Sequence, residues 1–271
     1  MDRKVIALRC HISEPLRYAR GVAPLAEALA ETPRFIGSTS LHERSTDWAG
    51  DLAAAHGCLL EAGGQVEDAM NEGRFPVLVG GDCSMAIGTL PVVHRLRPDA
   101  KVLWLDAHGD FNTPDTSGSG WLGGMGLAGA CGRFATNMPD PPFPEEQVVL
   151  CGVRSLDAGE RELLEESPAH VIGPSLETLV YLQNALDGDP VYVHLDPDVL
   201  DPSAFPQESG EDGGLAPERL FDLLDAVADG CEVIGLEIGS YYAPDDPGEA
   251  AEMLADLVEP LLEKEEAHGV H

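Results

Sequence analysis

The chain has 271 residues, of which 48 are acidic and 16 are basic, and its formal net charge is −32. A field of that sign repels nucleic acids and anionic membrane surfaces, so we expect neither as a partner. The hydrophobic fraction of 44% is that of a globular protein. No apolar run reaches the roughly 18–20 residues that a membrane-spanning helix needs. Two origins of the charge stay open: a high-salt cytosol, or an acidic protein of an ordinary cell.

The first residues lead directly into an apolar, β-branched segment. They lack the apolar core and the small-residue cleavage site of a signal peptide, so we expect a cytoplasmic protein. The chain length suits a single α/β domain. The glycine-rich stretch Gly118–Gly129 lies between polar motifs and not between two hydrophobic cores. We therefore predict one domain spanning residues 1–271.

Short apolar segments alternate along the chain with longer, helix-like segments. The predicted strands are, in chain order, Val5–Leu8, Pro76–Val79, Lys101–Leu105, Gln147–Val153, Val171–Ile172, Val191–Leu195 and Glu232–Ile238. The predicted helices are Leu52–Met70, Ser84–Arg95, Pro217–Ala228 and Gly248–Lys264. Most strands are continuous apolar runs, as expected of strands that are buried on both faces. This order predicts an α/β fold, with three α-β-α layers around a mostly parallel central sheet.

Three polar motifs each follow a predicted strand, which is where ligands collect in open parallel sheets. They are Gly80-Gly81-Asp82-Cys83-Ser84, Asp106-Ala107-His108-Gly109-Asp110-Phe111-Asn112 and His194-Leu195-Asp196-Pro197-Asp198. In the first motif the two glycines let the backbone turn into a helix, and Cys83 falls at the helix start, where the dipole favours a thiolate. A glycine turn beside a buried cysteine is also common without any function, so this motif alone decides little.

The other two motifs carry alternating acidic residues. Asp106, His108 and Asp110 fall on one side of an extended segment, and this donor set suits Mn²⁺ or Zn²⁺. The alternative is a polar loop with chance acidic residues in an acidic protein. Asp196 and Asp198 also share a face, and two adjacent carboxylates at a buried strand end are costly unless cations neutralise them. Capping aspartates in a turn are the alternative there. Together the two motifs predict a metal site.

In this order the three motifs resemble the signature blocks of the arginase and agmatinase (ureohydrolase) family, which read G-G-D-H-S, D-A-H-x-D-x-N-T-P and S-x-D-x-D-x-x-D-P. The resemblance runs from about Val77 to Leu262. It implies two divalent metal ions, most simply Mn²⁺, bridged by a hydroxide that attacks a guanidinium carbon and releases urea and an amine. The implied metal ligands are Cys83, Asp106, His108, Asp110, Asp196 and Asp198. We assign Asp110 and Asp198 a catalytic role as well.

The resemblance also implies a small guanidino or amidine substrate on an amino-acid scaffold. Its contacts would be Asn112, Ser119, Trp121, Asp157, Glu160 and Ser240. The first two match positions that hold the substrate carboxylate, and Asp157 and Glu160 match positions near its amino group. Alternatively, Asp157 and Glu160 simply begin a helix. Trp121 replaces a polar contact.

Three positions depart from the family pattern. The family loop ends S-G-N-x-H-G, so Gly123 replaces a histidine that passes protons to the leaving amine. Ser240 replaces a glutamate that clamps the guanidinium, and Glu237 matches an acidic residue three positions earlier. Cys83 replaces a ligand histidine and makes Zn²⁺ or Fe²⁺ an option, since thiolate is the softer donor. With the loop histidine also missing, the chain resembles the arginase-like enzymes that cleave N-hydroxylated arginine to hydroxyurea and ornithine.

Three functions are open at this point. The first is a two-metal hydrolase of a substituted guanidine, which gives urea or a substituted urea and an amine. The second is an arginase-like fold that has lost hydrolysis and serves as a metal-binding or assembly partner. The third is thiol chemistry at Cys83, which needs a base that no histidine nearby in sequence supplies. The retained ligand positions favour the first, whereas Gly123 and Ser240 favour the second. The resemblance further implies a homo-oligomer.

Overall fold

The computed structural model describes residues 2–9, 18–37, 47–207, 210–242 and 247–263. Its strands are β1 (Arg3–Leu8), β2 (Arg34–Ile36), β3 (Phe75–Val79), β4 (Lys101–Leu105), β5 (Val148–Cys151), β6 (His170–Ile172), β7 (Val191–Leu195) and β8 (Val233–Ile238). They form one sheet in the order β2-β1-β3-β8-β7-β4-β5-β6. All pairings between these strands are parallel. The predicted fold class is confirmed.

Helices cover both faces of the sheet. They are α1 (Tyr18–Leu29), α2 (Trp48–Asn71), α3 (Ala86–Leu96), α4 (Gly126–Ala130), α5 (Ala158–Glu166), α6 (Thr178–Leu186), α7 (Pro217–Gly230), α8 (Pro247–Leu257) and α9 (Glu259–Leu262). Side chains alternate between two apolar cores: Leu103 and Leu105 of β4 enter the core under α1 and α6–α9, whereas Val102 and Trp104 enter the core under α2–α5. None of the helices in the described ranges is long and apolar enough to cross a membrane.

Several elements differ from the prediction. Helices α1, α4, α5 and α6 and strand β2 were not predicted; β2 has only three residues, and α5 buries only Glu160 and Leu164. The predicted helix from Ser84 begins later, because residues 83–85 form a 3₁₀ turn. The predicted helix Gly248–Lys264 is divided into α8 and α9, and its last residue lies outside the described ranges.

The sheet register brings the three motifs to one level. Leu105 of β4 pairs with Leu195 of β7, Leu195 pairs with Ile238 of β8, and Val79 of β3 pairs with Ile238. The predicted ligands follow these residues, with Cys83 after Val79, Asp106 after Leu105 and Asp196 after Leu195. Because the four strands are neighbours and parallel, the polar segments that follow them converge at the carboxyl edge of the sheet.

Candidate metal centre

The segment after β4 holds its carboxylates by backbone and indole N–H groups. Asp106 is almost fully buried. Its Oδ1 accepts a hydrogen bond from the backbone N–H of His108 at 2.6 Å, and its Oδ2 accepts one from Trp104 Nε1 at 3.2 Å. Asp110 has φ +48°, a left-handed conformation that aspartate tolerates better than most residues. The turn at Asp110 keeps its side chain at the same edge, where it is also buried.

The segment after β7 is joined to the segment after β4 by its second aspartate. Asp196 Oδ1 accepts from the backbone N–H of Asp198 at 2.9 Å. Asp198 Oδ1 in turn accepts from the backbone N–H of Ala107 at 2.9 Å. Both carboxylates are buried. The two acidic motifs are therefore fixed to each other directly.

Cys83 and Ser240 bring the segments after β3 and β8 into the same cluster. The Cys83 thiol donates to Asp196 Oδ2 at 3.2 Å, and its Sγ lies 3.4 Å from Ser240 Oγ. Gly239 makes this approach possible, since a Cβ there would lie 3.1 Å from Cys83 Sγ. Ser240 has φ +53°, which turns the chain away after the contact.

The donor atoms form two adjacent groups with one shared member. Cys83, Asp106 and Asp110 form the first group, and Asp106, His108 and Asp198 form the second; within each group the donor atoms lie within 4.8 Å of one another. Asp196 joins the cluster through its contact with the thiol. All six predicted ligands thus lie together, and Asp106 belongs to both groups.

The cluster has too little positive charge of its own. Burial, reinforced by neighbouring carboxylates, raises the pKa of Asp106 and Asp110 well above the usual range and that of Asp196 to about 7. Burial also opposes the charged forms of Asp198 and His108. For His108 the hydrogen bonds to Asp106 and Asp198 outweigh burial and raise its pKa to about 12. For Asp198 the hydrogen bond from His108, 2.9 Å from Nδ1 to Oδ2, outweighs burial and lowers its pKa.

No lysine or arginine within the described ranges forms an ion pair with these carboxylates. One imidazole therefore faces four buried aspartates. Burying that much negative charge is costly unless cations are bound. Carboxylate, imidazole and thiol donors in two neighbouring groups fit divalent transition metal ions.

Comparison with known proteins identifies the family of this chain. Residues 21–262 match the sequence profile described as the arginase family. The match covers nearly the whole chain. The chain belongs to the arginase family. The predicted enzyme class, a hydrolase of carbon–nitrogen bonds, is confirmed by this membership.

Individual members of the arginase family show how far the likeness extends. The N(omega)-hydroxy-L-arginine amidinohydrolase of Streptomyces lavendulae is 36% identical over 250 residues, which are 90% of this chain and 90% of that protein. The arginase of Bacillus caldovelox is 37% identical over 182 residues, 61% of this chain and 60% of that protein. The crystal structure of arginase from Bacillus subtilis superimposes with a TM-score of 0.85 at 26% identity, covering 98% of this chain and all of that chain.

Asp157 and Glu160, two positions that the resemblance places near the substrate, also stabilise the start of α5. Asp157 is the N-cap of α5, and its backbone N–H donates to Glu160 Oε2 at 3.3 Å, so these two residues do begin a helix, as the alternative interpretation predicted. Glu160 Oε1 accepts from the backbone N–H of Phe111 at 2.8 Å, and Asn112 Nδ2 donates to Asp157 Oδ2 at 3.2 Å. These bonds tie the start of α5 to the segment that contains Asp110.

The loop with the remaining predicted substrate contacts lies beside the same segment. The backbone N–H of Trp121 donates to Ser119 Oγ at 3.1 Å. Further along, the carbonyl of Gly124 accepts from the backbone N–H of Asn112 at 3.3 Å. Asn112, Ser119, Trp121, Asp157 and Glu160 are therefore all linked to one side of the cluster, and Ser240 lies on the side of Cys83.

A buried network behind the metal ligands was not predicted. Trp104 stacks on His194 with ring centroids 3.5 Å apart, and His194 Nδ1 lies 2.6 Å from Glu237 Oε1. Glu237 also accepts from Thr89 and Tyr192, so its carboxylate is directed away from the ligands. Residues two apart along an extended segment share a face, so the spacing of 104 from 106 and of 194 from 196 is the signal that would have placed these rings beside the ligands.

Proposed function

We propose that this protein is a two-metal hydrolase of substituted guanidines, with an N-hydroxylated guanidine on an amino-acid scaffold as its preferred substrate. The products are a substituted urea and an amine. The observation that carries the proposal is the pair of adjacent ligand groups that share Asp106. Two metal ions held close together would supply an activated water molecule, and a carboxylate common to both groups would keep them close.

The assignment of ligands follows the two groups. Cys83, Asp106 and Asp110 would hold one ion, with Asp196 beside the thiol; Asp106, His108 and Asp198 would hold the other. When bound, the pair lowers the pKa of a water molecule so that hydroxide is available near neutral pH. The thiolate of Cys83 favours the softer Zn²⁺ and Fe²⁺ over Mn²⁺, and the strength of this preference decides which ions are bound.

The protein's own residues supply the proton path. Hydrolysis adds water to the guanidine carbon, breaks the bond from that carbon to the amine, and moves one proton from the water to the departing nitrogen. Gly123 has no side chain to carry that proton. We assign the transfer to Asp110, because this carboxylate belongs to the cluster and has a second oxygen besides the one that would bind metal.

The preference for a substituted guanidine rests on Ser240. A guanidinium carries a full positive charge, and its burial needs a carboxylate more than a hydroxyl. Ser240 lies 3.4 Å from Cys83 Sγ and offers a hydroxyl at that position. An N-hydroxylated guanidine is less basic and places a smaller demand there. The Streptomyces lavendulae relative, named for N(omega)-hydroxy-L-arginine, supports this choice.

The test is metal content together with a substrate panel. We expect two divalent ions per chain by elemental analysis, and a kcat/KM on N-hydroxyarginine at least about tenfold above that on arginine. Asp198→Asn should lose metal and activity together. Asp201→Asn is the matched control, because Asp201 accepts backbone hydrogen bonds from Ser203 and Gly213 outside the cluster.

A second candidate is a metal-binding or assembly protein without hydrolytic activity, which Gly123 and Ser240 favour. A chain that holds two ions per molecule and releases no urea or hydroxyurea from any guanidine would select it. Failure to retain any transition metal, even when Mn²⁺ or Zn²⁺ is supplied, would refute both candidates.

A further inference from the structure

The loop 119–126 is anchored between two of the motifs that form the cluster. The backbone N–H of Asn112 donates to the carbonyl of Gly124, and that of Ala128 donates to the carbonyl of Asp110 at 3.1 Å. On its other side the loop packs against Cys83, since a Cβ on Gly126 would lie 2.5 Å from the Cys83 carbonyl oxygen. The loop therefore has little freedom to move away from the cluster.

The backbone conformation at position 123, in the middle of this loop, does not require a glycine. Gly123 begins a 3₁₀ turn, it is buried, and it is not among the glycines with positive φ. Any residue can adopt such a conformation. What excludes a side chain is space: a Cβ at position 123 would lie 2.5 Å from Cζ2, 2.7 Å from Cε2 and 3.0 Å from Cη2 of Trp121.

The neighbouring Gly124 is in a different situation. A Cβ there would meet only Trp121 Cε3, at 3.8 Å, which is an ordinary van der Waals contact. Gly124 also has no positive φ. The indole thus excludes a side chain at position 123 and tolerates a small one at position 124, although both glycines are adjacent in the same turn.

We propose that Trp121 and Gly123 form one coupled specificity element. The indole fills the room that a side chain at position 123 needs, and it gives this side of the site an aromatic wall in place of a proton donor. Restoring a donor at position 123 therefore requires removing Trp121. The consequence for substrates rests on the proposed hydrolase function, whereas the coupling itself does not.

A thermal-stability cycle on metal-free protein tests the coupling without any substrate. Gly123→Ala should lower Tm by roughly 3–10 °C, because the methyl group overpacks against the ring. In the Trp121→Asn background the same change should be neutral or slightly stabilising, since alanine restricts the unfolded chain more than glycine does. Gly124→Ala is the matched control and should shift Tm little in either background. Equal shifts for Gly123→Ala in both backgrounds would overturn the proposal.

Steady-state kinetics test the part of the proposal that concerns substrate specificity. Gly123→His alone should gain nothing on arginine. Trp121→Asn/Gly123→His should raise kcat on arginine at least about tenfold over Trp121→Asn, the low end of what a positioned general acid supplies. The gain should appear in kcat and not in KM, and it should add an acidic limb to the pH profile. If the stability cycle shows the coupling but the double variant has no higher kcat on arginine than Trp121→Asn, the specificity part of the proposal is refuted. If the wild type hydrolyses no guanidine, the proposed function fails, and the stability cycle alone decides the coupling.

Discussion

Cys83 and Ser240, two of the residues that depart from the family sequence, are in contact with each other at the edge of the cluster. Burial first, and then the charges of Asp196, Asp110 and Asp106, raise the pKa of the Cys83 thiol well above its ordinary value. Within the described ranges, its hydrogen-bond partners are Asp196, a predicted metal ligand, and Ser240, and no histidine is among them. A metal ion is what would convert this thiol to thiolate, so a ligand role suits it better than a nucleophile role.

The variant Cys83→His separates these two roles. As a ligand, the imidazole should shift the preference of the site towards Mn²⁺ and keep turnover within about tenfold of the wild type, or raise it. Cys83→Ser should lose affinity for one ion of the pair. Competition between Mn²⁺ and Zn²⁺, followed by elemental analysis, measures both effects. Cys131→Ser is the control, because Cys131 is a free, half-buried thiol outside the cluster.

One result would reverse the assignment of Cys83. If Cys83→His binds two ions and has no turnover, the thiol itself takes part in the reaction.

At the scale of strands and helices, the sequence predicted what depends on continuous apolar runs. The buried strands β3, β4, β7 and β8 stand out because both of their faces need apolar residues. The polar motifs directly after three of them locate the ligands. Helix α5 was missed because its partly exposed surface gives weak apolar periodicity, and one of its two buried residues is Glu160, whose partner Phe111 lies far away in sequence.

The contacts between strands and helices could not be predicted from the sequence, for a related reason. Glu237 falls within the predicted strand Glu232–Ile238, and the structure places it on β8. That it holds His194 depends on the register of β7 against β8, where residues 194 and 237 pair. Similarly, the reason for a glycine at position 123 becomes clear only when the position of the Trp121 ring is known. Register and rotamer are tertiary properties, and neither is written in local periodicity.

The stack behind the ligands predicts a role for Trp104 in metal binding. Trp104→Phe retains an aromatic ring against His194 and removes the N–H that orients Asp106, the ligand shared by both groups. We expect metal affinity to fall about 10- to 100-fold, the usual effect of losing a group that orients a ligand. Titration with Mn²⁺ followed by calorimetry measures it. Trp48→Phe is the control, because Trp48 packs edge-to-face on Phe134 away from the cluster. Equal losses in both variants would show a general packing effect.

At the scale of the whole molecule, the acidic surface and the acidic cluster both oppose the folded state as pH rises. The net charge of −32 adds a general self-repulsion. The cluster adds a local one at the centre of the sheet edge. Metal ions relieve only the local repulsion. The difference in stability between the metal-loaded and the metal-free protein therefore isolates the cluster from the surface.

That difference should widen as pH rises from about 5.5 to 8. In the metal-free protein, the raised pKa values of Asp106, Asp110 and Asp196 favour folding while these groups keep protons that the unfolded chain has already lost. This contribution is full below the ordinary pKa near 4 and disappears as pH rises through the folded values, which for Asp196 is about 7. The pKa of His108 is raised to about 12, so its contribution to the stability of the folded protein also falls as pH rises above the ordinary imidazole pKa.

Divalent ions bind the deprotonated carboxylates, so their affinity grows over the same interval. Each tenfold gain in affinity adds about 1.4 kcal/mol, or roughly 2–4 °C in Tm for a chain of this size. Calorimetry with Mn²⁺ and with a chelator, across this pH range, measures the two curves. Asp196→Asn should flatten the metal-free curve between pH 5.5 and 7, because it removes the group that titrates there. A constant offset between the two curves would mean that the ions do not replace protons at this cluster.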